Sequence, residues 1–283
     1  MIEAAAAEWS VWRQAFGVPA VTLRIEVSES GDALPPPSEF YAHRHLFAYV
    51  ADSKNLALGD TRARTASAWL TSRAAEDTAY LRYHFLDGVA YHLIESSYLT
   101  PIHAACVARS GRGVLLCGDS GSGKSSLAYA CARRGWTYVT DDASYLVRGN
   151  LHQRLVIGNA HRIRLRPDIA HWFPELAAYP PAMRGNGKMS IEIWTRELFN
   201  ITAIPSATAD RVVFLRRNPA ASARLSPMDE AEARAWCERV FYWWDPEVAA
   251  EQQAGLIALL EGSCVETLEY SDLDAAVDAL ETA

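Results

Sequence analysis

The sequence has little of several features that mark particular classes of protein. Among its 283 residues, no run is long and apolar enough to span a bilayer, so we expect no membrane partner. The net charge is −7 and no basic run occurs, so nucleic-acid binding has no electrostatic support. The first residues lack the cationic start and apolar core of a signal peptide. The five cysteines form no C-x-x-C pair, which predicts buried, reduced thiols in a cytoplasmic protein and no zinc site.

Half of the residues are hydrophobic, which is enough for a substantial core, and periodic patterns divide the N-terminal part into elements. Alternation over residues 20–28 predicts a half-buried strand. Two apolar segments, 46–50 and 55–58, flank a polar turn and predict a hairpin. Residues 74–97 carry apolar side chains at four-residue spacing, so we expect one amphipathic helix that ends before Pro101.

The C-terminal part is typical of alternating strands and helices. Short strands are predicted within 151–166, a helical turn over 167–175 and a Pro/Gly-rich loop over 178–188. Ser271 is a candidate N-cap for the last helix. The remaining predictions are strands over 189–193, 211–215 and 265–270, and helices over 229–244, 246–260 and 272–280.

Residues 118–125, here called the glycine loop, read Gly-Asp-Ser-Gly-Ser-Gly-Lys-Ser and fit the pattern G-x-x-x-x-G-K-[ST]. Residues 114–117 before the loop predict a buried strand, and residues 126–134 after it predict a helix that stops at Gly135. Glycines let main-chain N–H groups turn toward anionic oxygens, and the helix N-terminus adds unpaired donors. The alternative is a Gly/Ser-rich turn that matches by chance. The pattern predicts ATP binding by Gly118, Asp119, Ser120, Gly121, Ser122, Gly123, Lys124, Ser125 and Ser126.

Two acids follow the next predicted strand, at 137–140. Lys124 can reach the β- and γ-phosphates, while Ser125 and Asp141 are candidate ligands of Mg²⁺. An acid at this strand end can face both the metal and an incoming hydroxyl. Adjacent strand residues point to opposite faces, so only one of Asp141 and Asp142 can point at the γ-phosphate. A solvated turn, a helix cap or a purely metal-binding role for Asp141 are the alternatives.

With His103, the glycine loop and the acid pair considered together, the chain resembles the catalytic domain of HPr kinase/phosphorylase. That family comprises bacterial serine kinases with a P-loop, related in fold to phosphoenolpyruvate carboxykinases. The matching stretch runs from His103 to about Tyr145. The resemblance implies that Asp141 takes the proton from the acceptor hydroxyl, with Asp142 and His103 in a network beside it and Lys124 at the phosphates. Without the resemblance, His103 on its apolar stretch is more typical of a core histidine.

The chain also departs from the family pattern. The acid pair is followed by Ala143-Ser144-Tyr145 rather than a Val-Glu-Ile-like stretch, and residues 162–167 lack the glutamate of the downstream family signature. The sequence is therefore similar to divergent members, some of which modify serines of peptide natural products such as lasso peptides. Arg164, Arg166 and Lys188 are candidates for binding transferred phosphate, with a solvated strand edge and a surface lysine as the alternatives.

These observations predict an α/β fold with an N-terminal region, 1–100, packed on a P-loop kinase domain with a mixed sheet, 101–283. The expected activity is ATP- and Mg²⁺-dependent phosphorylation of a serine on a peptide or small protein. Two alternative functions remain: a kinase of a small hydroxyl metabolite and a non-catalytic ATP-binding regulator. The sequence also leaves open whether the protein forms a homo-oligomer. No N-K-x-D or L-S-G-G-Q-like motif supports a GTPase or an ABC-type ATPase. Five aromatic residues close together in the chain predict core packing or an oligomer contact, with docking of a partner segment or peptide as the alternative: Trp236, Phe241, Tyr242, Trp243 and Trp244.

Overall fold

The computed structural model describes residues 17–29, 33–149, 154–183, 187, 189–240 and 243–282. The chain has a mixed α/β fold with mixed sheets, as predicted. Contacts between residues divide it into two compact units. The first unit comprises residues 1–99 and 242–251, and the second comprises residues 100–241 and 252–283.

The first unit contains a five-stranded sheet in the order β1-β5-β4-β3-β2. Its edge strand β1 pairs in parallel with β5, and the other neighbours are antiparallel. The predicted hairpin is confirmed as β3 and β4. The predicted first strand is present, although Val27 at its end is exposed. The strands are β1 (Thr22–Ser28), β2 (Glu39–His43), β3 (Leu46–Val50), β4 (Leu56–Asp60) and β5 (Thr65–Thr71).

The predicted single helix over 74–97 is instead a series of shorter segments. They are α1 (Ser72–Glu76), α2 (Thr78–Leu81), a π-helical turn (Arg82–Leu86) and α3 (Asp87–Tyr98). Asp77 causes the first interruption, because it leaves the helical conformation and its carboxylate accepts from the main-chain N–H of Tyr80 at 2.9 Å. The predicted buried face is confirmed, since no side chain in the series Leu81, Phe85, Val89 and Leu93 is exposed.

The second unit is built on a large mixed sheet in the order β15-β9-β7-β8-β16-β11-β10-β6, with β18 also paired to β16. The strands of this unit are β6 (Leu99–Ile102), β7 (Ala105–Arg109), β8 (Arg112–Cys117), β9 (Thr137–Thr140), β10 (Ser144–Val147), β11 (Leu155–Gly158), β12 (Arg162–Leu165), β13 (Ala182–Met183), β14 (Met189–Trp194), β15 (Thr202–Ala203), β16 (Ser206–Arg217), β17 (Arg224–Pro227) and β18 (Cys264–Tyr270). A separate small sheet has the order β12-β14-β13.

Strand direction places several chain segments at one edge of the large sheet. Strand β8 is parallel to β16, and β16 is parallel to β18. Strand β7 is antiparallel to both β8 and β9, so β9 also runs parallel to β8. The carboxyl ends of β8, β9, β16 and β18 therefore share an edge, where ligands of α/β sheets commonly bind.

Helices cover both faces of this sheet. One buried cluster joins α4 (Lys124–Arg133) and α7 (Leu273–Thr282) to the central strands. The other cluster contains residues of α5 (Glu230–Val240) and α6 (Pro246–Gly262). Short 3-10 helices form Pro167–His171, Pro174–Ala178 and Thr195–Glu197. None of the helices in the described part of the chain has the length and apolar character needed to cross a bilayer.

Several predictions for the C-terminal part need correction. Asp272 rather than Ser271 caps α7, because the Asp272 carboxylate accepts from Ala275 N at 2.9 Å whereas the Ser271 hydroxyl donates to Ala221 O. Cys264 is exposed, although the other four cysteines are buried as predicted. The predicted loop over 178–188 contains the short strand β13.

The predicted aromatic group does not form one cluster. Trp236 is buried against Phe214, with ring centroids 5.0 Å apart. Trp243 and Trp244 stack at 4.2 Å and belong to the first unit. Phe241 and Tyr242 lie outside the described residues.

Candidate functional site at the carboxyl edge of the large sheet

The glycine loop connects β8 to α4 in a tightly turned conformation. Gly121 and Gly123 have φ values of +90° and +98°, in the left-handed region that favours glycine. A Cβ at Gly123 would lie 2.2 Å from the Tyr270 hydroxyl oxygen. That hydroxyl donates to the Ser122 carbonyl at 2.7 Å, and Ser122 N donates to the Asp119 carbonyl at 3.1 Å. Side-chain and main-chain bonds thus hold the loop in its turn.

Lys124 begins α4 and folds back along the loop. Its Nζ donates to the carbonyls of Gly118 and Asp119 at 2.7 and 3.1 Å. Burial lowers the pKa of Lys124, and the nearby Asp142 charge opposes this effect. The ammonium group is therefore fixed at the loop, where it can neutralise an anion.

The N-terminus of α4 carries no side-chain cap. Gly123 occupies the N-cap position in the left-handed conformation and forms no such hydrogen bond. Ser125, which could have supplied a side-chain acceptor, donates instead to the Asp141 main-chain carbonyl at 3.1 Å. Ser126 lies in the same first turn, while Asp119 and Ser120 are exposed in the loop. First-turn N–H groups without a side-chain cap, at the positive end of the helix dipole, suit an anionic ligand.

The first acid of the pair, Asp141, is buried at the end of β9. The Tyr138 hydroxyl donates to its Oδ1 at 2.6 Å, while Oδ2 accepts no hydrogen bond from any described residue. Burial raises the pKa of Asp141 to about 6; the Tyr138 hydrogen bond and the Arg164 charge lower it, and the Asp142 charge raises it. One carboxylate oxygen is thus anchored and the other lacks a partner.

The second acid, Asp142, has a different environment. Its Oδ1 lies 3.1 Å from His103 Nδ1, and about half of each side chain is exposed. His103 stands between β6 and β7, so the sheet brings together two predicted site residues from separate segments. The predicted opposition of the two acids agrees with this arrangement, in which Asp141 faces the interior and Asp142 faces solvent.

The predicted cations occupy different positions. Arg162 and Arg164 flank the Glu192 carboxylate from β12, at 2.5 and 3.6 Å. Arg166 follows the strand, and its Nη2 would lie 4.0 Å from a Cβ at Gly121, so it reaches the glycine loop. Lys188 lies outside the described residues.

The predicted Mg²⁺ ligands fit a nucleotide-bound metal better than an all-protein site. Within the described ranges, no group of three or more His, Cys, Asp and Glu side chains could hold a metal ion. Mg²⁺ in nucleotide sites needs only one or two protein oxygens, because phosphates and waters complete its shell. The Ser125 hydroxyl and the partnerless Asp141 Oδ2 lie next to the glycine loop and are oxygen donors of the required kind.

Two tyrosines of this site, Tyr138 and Tyr270, were missed by the sequence analysis. Both stand in apolar strand segments, and their rings are fully buried as such patterns predict. Their hydroxyls nevertheless bond to Asp141 and to the glycine loop. A buried tyrosine usually has a hydrogen-bond partner for its hydroxyl, so a tyrosine within a predicted buried strand indicates a polar group nearby.

Comparisons with known proteins give a distant match. No protein-family model matches the chain, and no curated protein matches it. Among solved structures, the chain is similar to the Hpr(Ser) kinase/phosphatase from Coxiella burnetii, at 15% identity and a TM-score of 0.33. The match covers 64% of this chain and 94% of the other. At this identity and score the resemblance is distant.

Proposed function

We propose that this protein is a Mg²⁺- and ATP-dependent kinase that phosphorylates a serine hydroxyl of a peptide or small protein. The observation that carries the proposal is the meeting, at one sheet edge, of the turned glycine loop with a carboxylate–histidine pair. The loop supplies main-chain donors and Lys124 for a polyphosphate. The pair formed by Asp142 and His103 supplies a proton acceptor just beyond the end of β9, which is parallel to β8 and separated from it by β7.

Phosphoryl transfer asks a protein mainly to align the reactants and neutralise charge. Lys124, Arg166 and the first-turn N–H groups of α4 would bind the phosphate oxygens. Ser125 and Asp141 would hold Mg²⁺, which supplies further neutralisation of the phosphates when bound. The tether from Tyr270 to Ser122 fixes the loop before the nucleotide arrives, so little reorganisation is needed on binding.

The geometry favours Asp142 as the group that accepts the proton of the serine hydroxyl. A general base must come within hydrogen-bond reach of its substrate. The Asp142 side chain is about half exposed, whereas Asp141 is only 4% exposed and bonded to Tyr138. The resemblance implied this role for Asp141 instead. Replacing each acid by asparagine in turn and measuring turnover distinguishes the two assignments.

The access to the pair also supports a macromolecular acceptor. His103 and Asp142 both stand about half open to solvent, so a serine on a peptide chain can approach them. An enzyme for a small metabolite gains more from enclosing its substrate, because enclosure excludes water from the reaction.

The test is transfer of labelled γ-phosphate from ATP to a library of serine-containing peptides, with pooled hydroxyl metabolites as the second arm. Asp142→Asn should lower kcat by about 100- to 10,000-fold while ATP affinity stays within a few-fold. Asp274→Asn, at an exposed acid of α7, is the matched control and should have normal turnover. Near-normal turnover of Asp142→Asn, together with loss of turnover in Asp141→Asn, would return the base role to Asp141. Transfer to metabolites alone would exclude the peptide kinase.

A further inference from the structure

An exposed aromatic side chain and an exposed arginine stand together at the carboxyl end of β16. Trp172 follows the 3-10 helix Pro167–His171 and is 48% exposed. The guanidinium carbon of Arg217 lies 5.9 Å from the centroid of its indole ring. Within the part of the chain that the structure describes, Arg217 forms no ion pair, unlike Arg211 of the same strand, which pairs with Glu266.

Bonded neighbours link this pair to the loop. Arg217 ends β16 and stands in register with Tyr270 of β18. Tyr270 in turn donates its hydroxyl hydrogen to the Ser122 carbonyl. From the other direction, Arg166 reaches Gly121 and directly precedes the 3-10 helix that leads to Trp172. Strand β16 itself also passes the loop, since a Cβ at Gly118 would lie 3.2 Å from the Leu215 carbonyl oxygen. Both chain segments that carry the pair therefore lie beside the glycine loop.

The pair lies on the opposite side of the loop from the acids. Along the sheet, β8 and the loop are flanked on one side by β7 and β9, and on the other side by β16 and β18. Asp141 and Asp142 follow β9, whereas Arg217 and Tyr270 end β16 and β18. If the terminal phosphate of a nucleotide faces the acids, its nucleoside can extend along the loop toward β16 and β18.

The chemistry of the pair suits a nucleobase. Aromatic rings and the flat guanidinium group both stack on bases, and each such contact accepts any base because every base has a π-face. We propose that Trp172 and Arg217 form the stacking surface for the base of the bound nucleoside triphosphate. This inference rests on the proposed function, since it needs the polyphosphate to occupy the glycine loop.

The test compares a ligand that has a base with one that has none. Calorimetry would measure binding of ATP and of inorganic tripolyphosphate, each with Mg²⁺. Trp172→Ala should weaken ATP binding by about 10- to 100-fold and leave tripolyphosphate binding within twofold. Arg217→Gln should weaken ATP binding by a smaller factor, again without effect on tripolyphosphate. Trp172→Phe should keep most of the affinity, because it retains a flat ring.

A matched control comes from Phe199, which is 91% exposed. It precedes β15, a strand parallel to β9, so it stands at the other edge of the sheet from the loop. Phe199→Ala should bind ATP normally. Thermal melting of every variant within a few degrees of the unmodified protein would show that folding is intact. Trp172→Leu, which keeps apolar bulk but has no flat ring, replaces Trp172→Ala if the alanine variant fails this check.

Three results distinguish failure of the stacking surface from failure of the proposed function. ATP affinity that is unchanged in Trp172→Ala and Arg217→Gln, with tripolyphosphate still bound, overturns the stacking surface alone. Equal loss of both ligands in Trp172→Ala also overturns it, because the effect then does not depend on a base. An unmodified protein that binds neither ligand overturns the proposed function and the stacking surface together.

Discussion

Replacing the buried acid Asp141 by asparagine should change how the stability of the protein depends on pH. In the folded chain, burial raises the pKa of Asp141 from 3.8 to about 6. The folded state therefore binds this proton more tightly than the unfolded state does. Stability from the protonated acid is present below about pH 4 and is lost as the pH rises through about 6.

The magnitude follows from the same two values. A pKa that moves from 3.8 to about 6 corresponds to about 3 kcal/mol between the protonated and charged forms. The Asp141→Asn variant has no charge to bury, so it avoids this cost at pH 8. Any change in hydrogen bonding that the amide group introduces is independent of pH. The quantity to measure is therefore the free energy of unfolding of Asp141→Asn minus that of the unmodified protein. The prediction concerns how this difference changes between pH 4 and pH 8.

Urea unfolding at a series of pH values, with a chelator present to remove metal ions, measures this quantity. Relative to the unmodified protein, Asp141→Asn should gain about 2.4 kcal/mol between pH 4 and pH 8, because part of the full effect is already lost at pH 4. Asp274→Asn is the matched control, because it removes an exposed acid of α7 whose charge is not among those that act on Asp141. A stability difference for Asp141→Asn that is flat across this range would refute the burial argument.

Two further substitutions test the geometry around the loop and the acid. Gly123→Ala should weaken ATP binding at least tenfold, because its Cβ would displace the Tyr270 hydroxyl; Gly149→Ala, with φ of +83° but open space around it, should bind normally. Tyr138→Phe should lower the free energy of unfolding by about 1–3 kcal/mol in urea, since the buried Asp141 carboxylate loses the hydrogen bond from the Tyr138 hydroxyl. Normal ATP binding in the first variant, or unchanged stability in the second, would contradict the respective contact.

Local signals predicted the strand–loop–helix unit around residues 112–140 well. The apolar run before the loop forms β8, and Gly135 stops α4 with a left-handed φ of +86°, as its sequence position predicted. These features depend on residues close together in the chain. The prediction of one helix over 74–97 was wrong. The apolar spacing continues past Asp77, but Asp77 adopts an extended conformation and caps the next helix, so the helix is interrupted there.

The division of roles within the site depends on contacts between distant segments. Alternation predicted that Asp141 and Asp142 face opposite ways, but not which one is buried. The interactions of Asp141 include one with Arg164 of β12, which lies more than twenty residues further along the chain. The positions of Trp172 and Arg217 likewise follow from sheet order, and neither residue belongs to a motif.

The most direct test of the central claim is calorimetric binding of Mg²⁺-ATP to the unmodified protein and to Lys124→Ala. Lys124 donates to two carbonyls of the glycine loop and would pair with the phosphates. We predict saturable one-to-one binding by the unmodified protein and at least tenfold weaker binding by the variant. Absence of binding by the unmodified protein, or equal affinity in the two proteins, would contradict a nucleotide site at the glycine loop.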